Sequence, residues 1–265
     1  MNKALCELST VHYKYILLSI KNTYNIVSFS KSEHSATPNK PRIILRHDID
    51  SSLHSATVMA QLENDIGIQS TYFVQLHCDY YSSTTIEGIK LIRTLRDLGH
   101  EIGLHYDPVY YDTLGISFES GISQDIELLE AILKQPVLSV SRHLPLLGSQ
   151  KETFPSSIKF NAMNPIYING KFKYLSDSNG IFREGCFCNH IDNLRDYCFL
   201  VHPVWWTTEG NDWKDKLNHQ ATMDCENVRI RIDNKIAQYD DILLKRKEYD
   251  AKLAQSLNGR NDNEK

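Results

Sequence analysis

Two periods of apolar spacing alternate along this chain, and each change of period marks a boundary between elements. Ser9 is placed as the N-cap of a first helix reaching about Asn22, and the polar connection SKSEHSATPNKP follows. IILRHDID, Ile43 to Asp50, is an apolar run that reads as a buried strand ending in two carboxylates. A helical segment then runs to about Asn64, with Gly67 marking its end. STYFVQL, Ser70 to Leu76, has strand character, and Ile86, Ile89, Ile92 and Leu95 make one helical stripe that Gly99 stops. His100 to His105 alternates as a third strand. Ile122, Ile126, Leu129 and Leu133 recur at helical spacing, and Pro136 precedes a fourth strand, Val137 to His143.

From Leu147 to His190 the pattern breaks into short β-like pieces, PIYING and FKYLSD, and CFLVHPVWW, Cys198 to Trp206, is the last strand. Residues 222–258 read as a C-terminal helix with Val228, Ile232, Ile236, Ile242 and Leu243 as its buried positions, and NGRNDNEK reads as a solvated tail. Four successive strand and helix units imply an α/β fold with a parallel sheet and helices outside it, closing as a barrel or remaining open. No repeat or linker divides the chain, so 1–265 reads as a single domain with a core over 41–206.

Composition narrows the partners. The chain has 265 residues, 41% of them hydrophobic and 23% charged, as an ordinary globular protein has. A net charge of −4 leaves no basic excess for neutralising phosphates, which excludes a general nucleic-acid binder and favours a small or neutral ligand. The apolar stretch Tyr15–Ile20 is too short for a signal sequence, and no segment approaches a membrane span, so the expected location is the cytoplasm without membrane insertion. Cys6, Cys78, Cys186, Cys188, Cys198 and Cys225 show no CxxC pair and read as reduced thiols. The CxC of Cys186 and Cys188 is a weak metal signal by itself.

Chemistry concentrates at strand ends. Asp48 and Asp50, two apart in a strand, emerge side by side at its carboxyl end, where α/β sheets place their active groups. Helix capping by Asp50 and Ser51 is the competing reading. In HEIGLHYD, Glu101, Gly103, His105 and Asp107 share one face, which brings His105 and Asp107 toward the aspartates, in a donor set suited to a divalent ion. Taken alone, His105 reads as a core histidine with its nitrogens satisfied by hydrogen bonds. Arg142 and His143 end the fourth strand and His202 ends the last. Trp205, Trp206 and Trp213 offer faces for stacking on a sugar or side chains for the core.

The ordered motifs RHDID, GHEIGLHYDP, SRHLP, YLSDSNG and LVHPVWW resemble those of the polysaccharide deacetylase superfamily, the NodB-like carbohydrate esterases, in a divergent branch that accompanies surface-polysaccharide biosynthesis. The resemblance implies a distorted (β/α)7 barrel, flanked here by an N-terminal and a C-terminal helix, and metal-dependent removal of an acetyl group from an N-acetylated sugar. It makes Asp48 the catalytic base, Asp50 a metal-binding acid, His105 the first metal histidine and His202 the general acid. Arg142 would orient the base and Asp177 the acid, with Trp205 and Trp206 against the sugar. The second metal histidine of that pattern falls on Val109, so either His143 or Asp107 completes the shell, or the ion is held weakly, or hydrolysis is lost. The ion implied is zinc, with cobalt, nickel or manganese as alternatives. A glycan-binding or assembly protein without catalysis, on the same fold, is the rival reading, and a hydrolase of another amide or ester is the third. Oligomeric state is not legible.

Overall fold

Seven strands follow one another in chain order around a curled sheet, every pairing parallel. The computed structural model describes residues 6–32, 40–148 and 151–261. Its strands are β1 (Asn25–Val27), β2 (Arg42–Ile49), β3 (Thr71–Val74), β4 (Glu101–Tyr106), β5 (Ser139–Arg142), β6 (Phe160–Asn161), β7 (Lys173–Ser176) and β8 (Tyr197–Val201). They run β6-β5-β4-β3-β2-β8-β7, with β1 against the start of β2. Read as a ring, this is sequence order with one open seam between β6 and β7, which agrees with the distorted (β/α)7 barrel that the motifs imply. The helices among the described residues are α1 (Thr10–Ile20), α2 (Leu53–Ile66), α3 (Ile86–Asp97), α4 (Pro108–Leu114), α5 (Phe118–Leu133), α6 (Pro165–Ile168), α7 (Pro203–Thr207) and α8 (Trp213–Asn261).

The chain divides into two compact units, Met1–Leu217 and Asn218–Lys265, and the 41–206 core lies within the first. Most of the second is the body of α8, which starts earlier than expected, at Trp213, just after Asp212, whose carboxylate accepts the N–H of Lys214 at 2.8 Å and of Asp215 at 2.9 Å. It also runs into the expected tail, as far as Asn261, and 262–265 lie outside the described residues. The expected burial does not occur. Val228, Ile232, Ile236, Ile242 and Leu243 are all exposed, because helical period tells which residues share a face and not what that face meets. No helix among the described residues is long and apolar enough to cross a membrane.

Local chemistry explains where other expectations shift. PIYING is a short helix, α6, since Asn164 accepts the N–H of Ile166 as an N-cap and Pro165 suits the first helical position. CFLVHPVWW leaves the sheet at Val201 for the same reason: Pro203 has no N–H for a ladder and starts α7, so both tryptophans are helical. Ser52, not Asp50, caps α2 by accepting the N–H of Ser55 at 3.1 Å. Gly67, at φ 77°, ends α2 where a Cβ would be strained.

Alternation sorts two cores. Outward residues such as Leu45, Tyr72, Leu104 and Phe199 pack with the helices. A smaller inner cluster holds Ile44, Phe73, Ala162 and Cys198, closed below by Phe29, Tyr167 and Phe172. Gly103 makes room for it, because a Cβ there would stand 2.5 Å from the Phe73 ring and 2.7 Å from Ser139 Oγ. The apolar plug leaves the upper half of the inner face for polar groups.

Between β2 and the helices lies a fully buried acid, Glu63. It accepts hydrogen bonds from Tyr13 Oη, from His47 Nε2 at 2.7 Å, from Ser70 Oγ at 2.6 Å and from Tyr72 Oη at 3.0 Å. Burial pushes its carboxyl up, but His47, by charge and hydrogen bond, and then His100 outweigh this and bring it down to about 2 from an ordinary 4.5. A carboxyl with a lowered folded pKa adds stability that is complete above its unfolded value and is lost as pH falls through the folded one. The window here runs from 4.5 down to about 2. Glu63→Gln should cost on the order of 3 kcal/mol at pH 7. Urea unfolding of both proteins from pH 7 to 2 should show that gap closing through the window, and a gap independent of pH would refute the account.

Candidate active site

The two-residue repeat of β2 continues past its end, so Arg46, Asp48 and Asp50 line one face above the apolar plug. Arg46 lies over the Phe73 ring, 5.4 Å from its centroid, and reaches forward to Asp48. Its Nη2 donates to Asp48 Oδ2 at 2.6 Å and its Nε to Oδ1 at 3.2 Å, a two-point grip in which both residues are buried. Ser141 on β5 donates to Asp48 Oδ2 at 3.1 Å and accepts from Arg46 Nη2 at 2.7 Å. Burial pushes the Asp48 carboxyl up, yet the Arg46 charge, then those of His105 and His202, leave it below the ordinary carboxylate range. Asp48 is therefore ionised at neutral pH.

Three strand ends supply a cluster of donors. Asp50, His105 and His143 each place one ligand-type atom within 4.8 Å of the others. His105 Nε2 lies 3.1 Å from Asp50 Oδ1, and His143 Nδ1 lies 3.5 Å from the same oxygen and 3.2 Å from His105 Nε2. The β4–β5 register pairs His105 with Ser141, whose carbonyl accepts from His105 Nδ1 at 3.1 Å and so turns Nε2 toward the cluster. His143 follows one residue after β5, held by its N–H donating to Tyr106 O at 2.9 Å. Burial pushes the Asp50 carboxyl up, but His202 and hydrogen bonds from His105 and His143 hold it well below its ordinary value. One carboxylate and two imidazoles converging from separate strands fit a divalent ion of the zinc class. Zinc, cobalt, nickel and manganese all accept that donor set.

Opposite the cluster stands His202, just past β8, with Nε2 3.6 Å from Asp50 Oδ2. Its Nδ1 donates to Asp177 Oδ1 at 2.6 Å, and Asp177, wholly buried, also accepts from the His202 backbone and from Trp206 Nε1 at 2.7 Å. Burial disfavours the charged ring, but Asp177 and then Asp50 outweigh it and raise His202 to about 9. These groups meet in a cavity of about 630 Å³ lined by Asp48, Asp50, His105, His143, His202 and Trp205, among others, a volume suited to a small ligand.

Two expectations need correcting. Arg142 does not grip Asp48: Glu152 holds it at 2.6 Å, with the Leu147 carbonyl as a further acceptor, and the guanidinium on Asp48 is that of Arg46. The signal was available, since Arg46 precedes Asp48 by two residues in a strand. Trp206 is 1% exposed, so it positions Asp177 and has no face for a sugar. Trp205 does line the cavity, and its buried Nε1 has no hydrogen-bond partner. Of the two residues offered for the third donor, His143 stands in the cluster, whereas Asp107 caps α4 by accepting the Val109 N–H at 2.9 Å. Val109, expected from the resemblance to stand where a second histidine would, is the second residue of that helix.

No protein-family model matches this chain, and no curated protein does either. Solved structures similar to it include the peptidoglycan deacetylase PdaC from Bacillus subtilis, in its D285S mutant, at 14% identity and a TM-score of 0.44, over 72% of this chain and 87% of that one. The chitin deacetylase from Colletotrichum lindemuthianum is similar at 14% identity and 0.40, over 68% and 81%. A CE4 family pseudoenzyme from Bacillus anthracis is similar at 14% identity and 0.38, over 72% and 63%.

The donor geometry sets an expectation for calorimetric titration with zinc. His143→Ala should weaken binding by at least about tenfold, since a lost direct ligand matters no less than a lost supporting one. Asp107→Asn should stay within about twofold of wild type, because its role is a cap. The reverse ranking would move the third donor to Asp107.

Proposed function

We propose that this protein is a metal-dependent hydrolase that removes the acetyl group from an N-acetylated sugar, in a divergent branch of the NodB-like carbohydrate esterases serving surface-polysaccharide biosynthesis. The observation that carries the hydrolytic reading is that a proton acceptor and a proton donor flank one donor cluster. Asp48 Oδ2 lies 3.9 Å from His105 Nε2, and His202 Nε2 lies 3.6 Å from Asp50 Oδ2. The sugar comes from the ordered motifs. A divalent ion held by Asp50, His105 and His143 supplies Lewis-acid polarisation of the amide carbonyl when bound.

The chain's own groups divide the proton work. Asp48 accepts the proton of the attacking water, and Arg46 and Ser141 fix its carboxylate and keep it ionised. His202, charged at neutral pH, gives its Nε2 proton to the departing amine nitrogen, while Asp177 holds Nδ1 and thereby the ring's direction. Trp205 lines the same cavity and offers apolar ring surface to the substrate.

Acetate release from a panel of N-acetylated oligosaccharides and nucleotide sugars by zinc-loaded protein is the direct test. Asp48→Asn should keep the ion and the sugar affinity while kcat falls by about 10²–10⁴. Sugar binding without acetate from any member, in wild type, would turn the reading to a glycan-binding protein.

The pH profile tests the acid. Because Asp177 raises the folded pKa of His202, the competent imidazolium persists up to about pH 9 and is lost above it. Asp177→Asn should move the alkaline limb of kcat/KM to lower pH by at least about one unit, as removing a buried opposite charge does. A limb that stays in place would remove His202 from the role.

A further inference from the structure

Four ligand-type side chains meet on another side of the same unit, where the segment before α1 approaches the connection between β7 and β8. Cys6, His12, Cys186 and Cys188 each offer one donor atom, all within 4.8 Å of one another. Cys6 Sγ lies 3.3 Å from Cys188 Sγ, across 182 residues of chain, and His12 Nε2 lies 3.3 Å from Cys186 Sγ. Three of the six cysteines thus gather at one point.

Local structure aims each donor. Ser9 caps α1 and accepts the His12 N–H at 3.2 Å, which sets His12 in the first turn near Cys6. Cys186 begins a 3-10 turn over Phe187–Asn189, closed by Asn189 N–H to Cys186 O at 2.9 Å and His190 N–H to Phe187 O at 2.8 Å. Phe187 between the two thiols is fully buried, stacked on Phe199 with centroids 4.7 Å apart, so the turn is anchored in the core.

We propose that Cys6, His12, Cys186 and Cys188 form a closed structural zinc site that staples the N-terminal segment to the β7–β8 connection. Tetrahedral zinc with bonds of about 2.3 Å to sulfur and about 2.0 Å to nitrogen spaces its ligand atoms about 3.5–3.8 Å apart, and here two pairs stand at 3.3 Å with all four atoms within 4.8 Å of one another. Three thiolates and one imidazole fill all four positions, which is the ligand set of structural zinc and leaves none open for catalysis. Binding transfers one proton from each thiol to solvent and uses His12 neutral. Without an ion, thiols are weak hydrogen-bonding partners, and Cys186 and His12 are both buried. The CxC spacing alone gave little reason to expect this, because its two partners come from the other end of the unit.

The staple bears on the cavity, since Ser178, Asn179, Arg183, Glu184 and Gly185, which line it, lie between β7 and Cys186. The site stands apart from the Asp50 cluster, and its test is independent of the proposed activity. The full chain, produced with zinc and purified without chelator, is compared with Cys186→Ser and Asp50→Ala by elemental analysis and by absorption after cobalt exchange. Cys186→Ser should lose one zinc per chain and the thiolate-to-cobalt charge-transfer band, and Asp50→Ala should keep both that zinc and the band. Should Cys186→Ser fail to fold, the wild-type cobalt spectrum decides. Equal zinc in wild type and Cys186→Ser, a wild type without the thiolate band, or a Cys6–Cys188 disulfide found by intact mass after alkylation without reductant would each overturn the proposal.

Discussion

A charge with no access to water, the carboxylate of Glu63, constrains the half of the molecule that carries the candidate site. It must be met by donors from every side, and they come from α1 (Tyr13), β2 (His47), the start of β3 (Ser70) and β3 itself (Tyr72). His47 is the outward neighbour of Arg46 and Asp48. Fixing His47 against Glu63 fixes the register of β2, and a slip of one residue would bury His47 in the plug and turn Asp48 into the helices. The arrangement of the site thus follows from a polar contact on the other face of the same strand.

Inside the sheet, the plug and the site share a boundary at Phe73. Its ring fills the space that Gly103 leaves and carries the Arg46 guanidinium on its upper side. A buried arginine so supported, with Asp48 as its partner, avoids an uncompensated charge in the core. The same pairing keeps Asp48 ionised, so packing and electrostatics have one solution here.

Much of this was legible because strand alternation and strand ends carry their own coordinates in the sequence. Asp48, Asp50, His105 and His202 could be placed on faces and at ends without a structure, and those positions do converge. Glu63 could not be read the same way. It follows Met59 and Ala60 at helical spacing, on the buried face of α2, but a glutamate beside Asn64 reads as solvated unless its distant partners are known. Arg142 and Arg46 show a different failure: the two-residue spacing of Arg46 and Asp48 in β2 already placed that guanidinium beside the carboxylate, whereas the partner that takes Arg142 away, Glu152, comes from a later segment. The α8 stripe and the cysteine cluster depend likewise on what meets them in space, which spacing does not record.

The open seam divides the cavity mechanically. Asp48, Asp50, His105, His143 and His202 stand on or just past β2, β4, β5 and β8, which are tied by continuous ladders, whereas Met163, Ile168, Asn179 and Arg183 line the cavity from segments beside the unpaired edges of β6 and β7. Widening the mouth on that side breaks no ladder hydrogen bond between the strands that hold the acids and histidines. The side of the cavity beside the seam can yield to a ligand's shape while the side that carries the acids and histidines stays still.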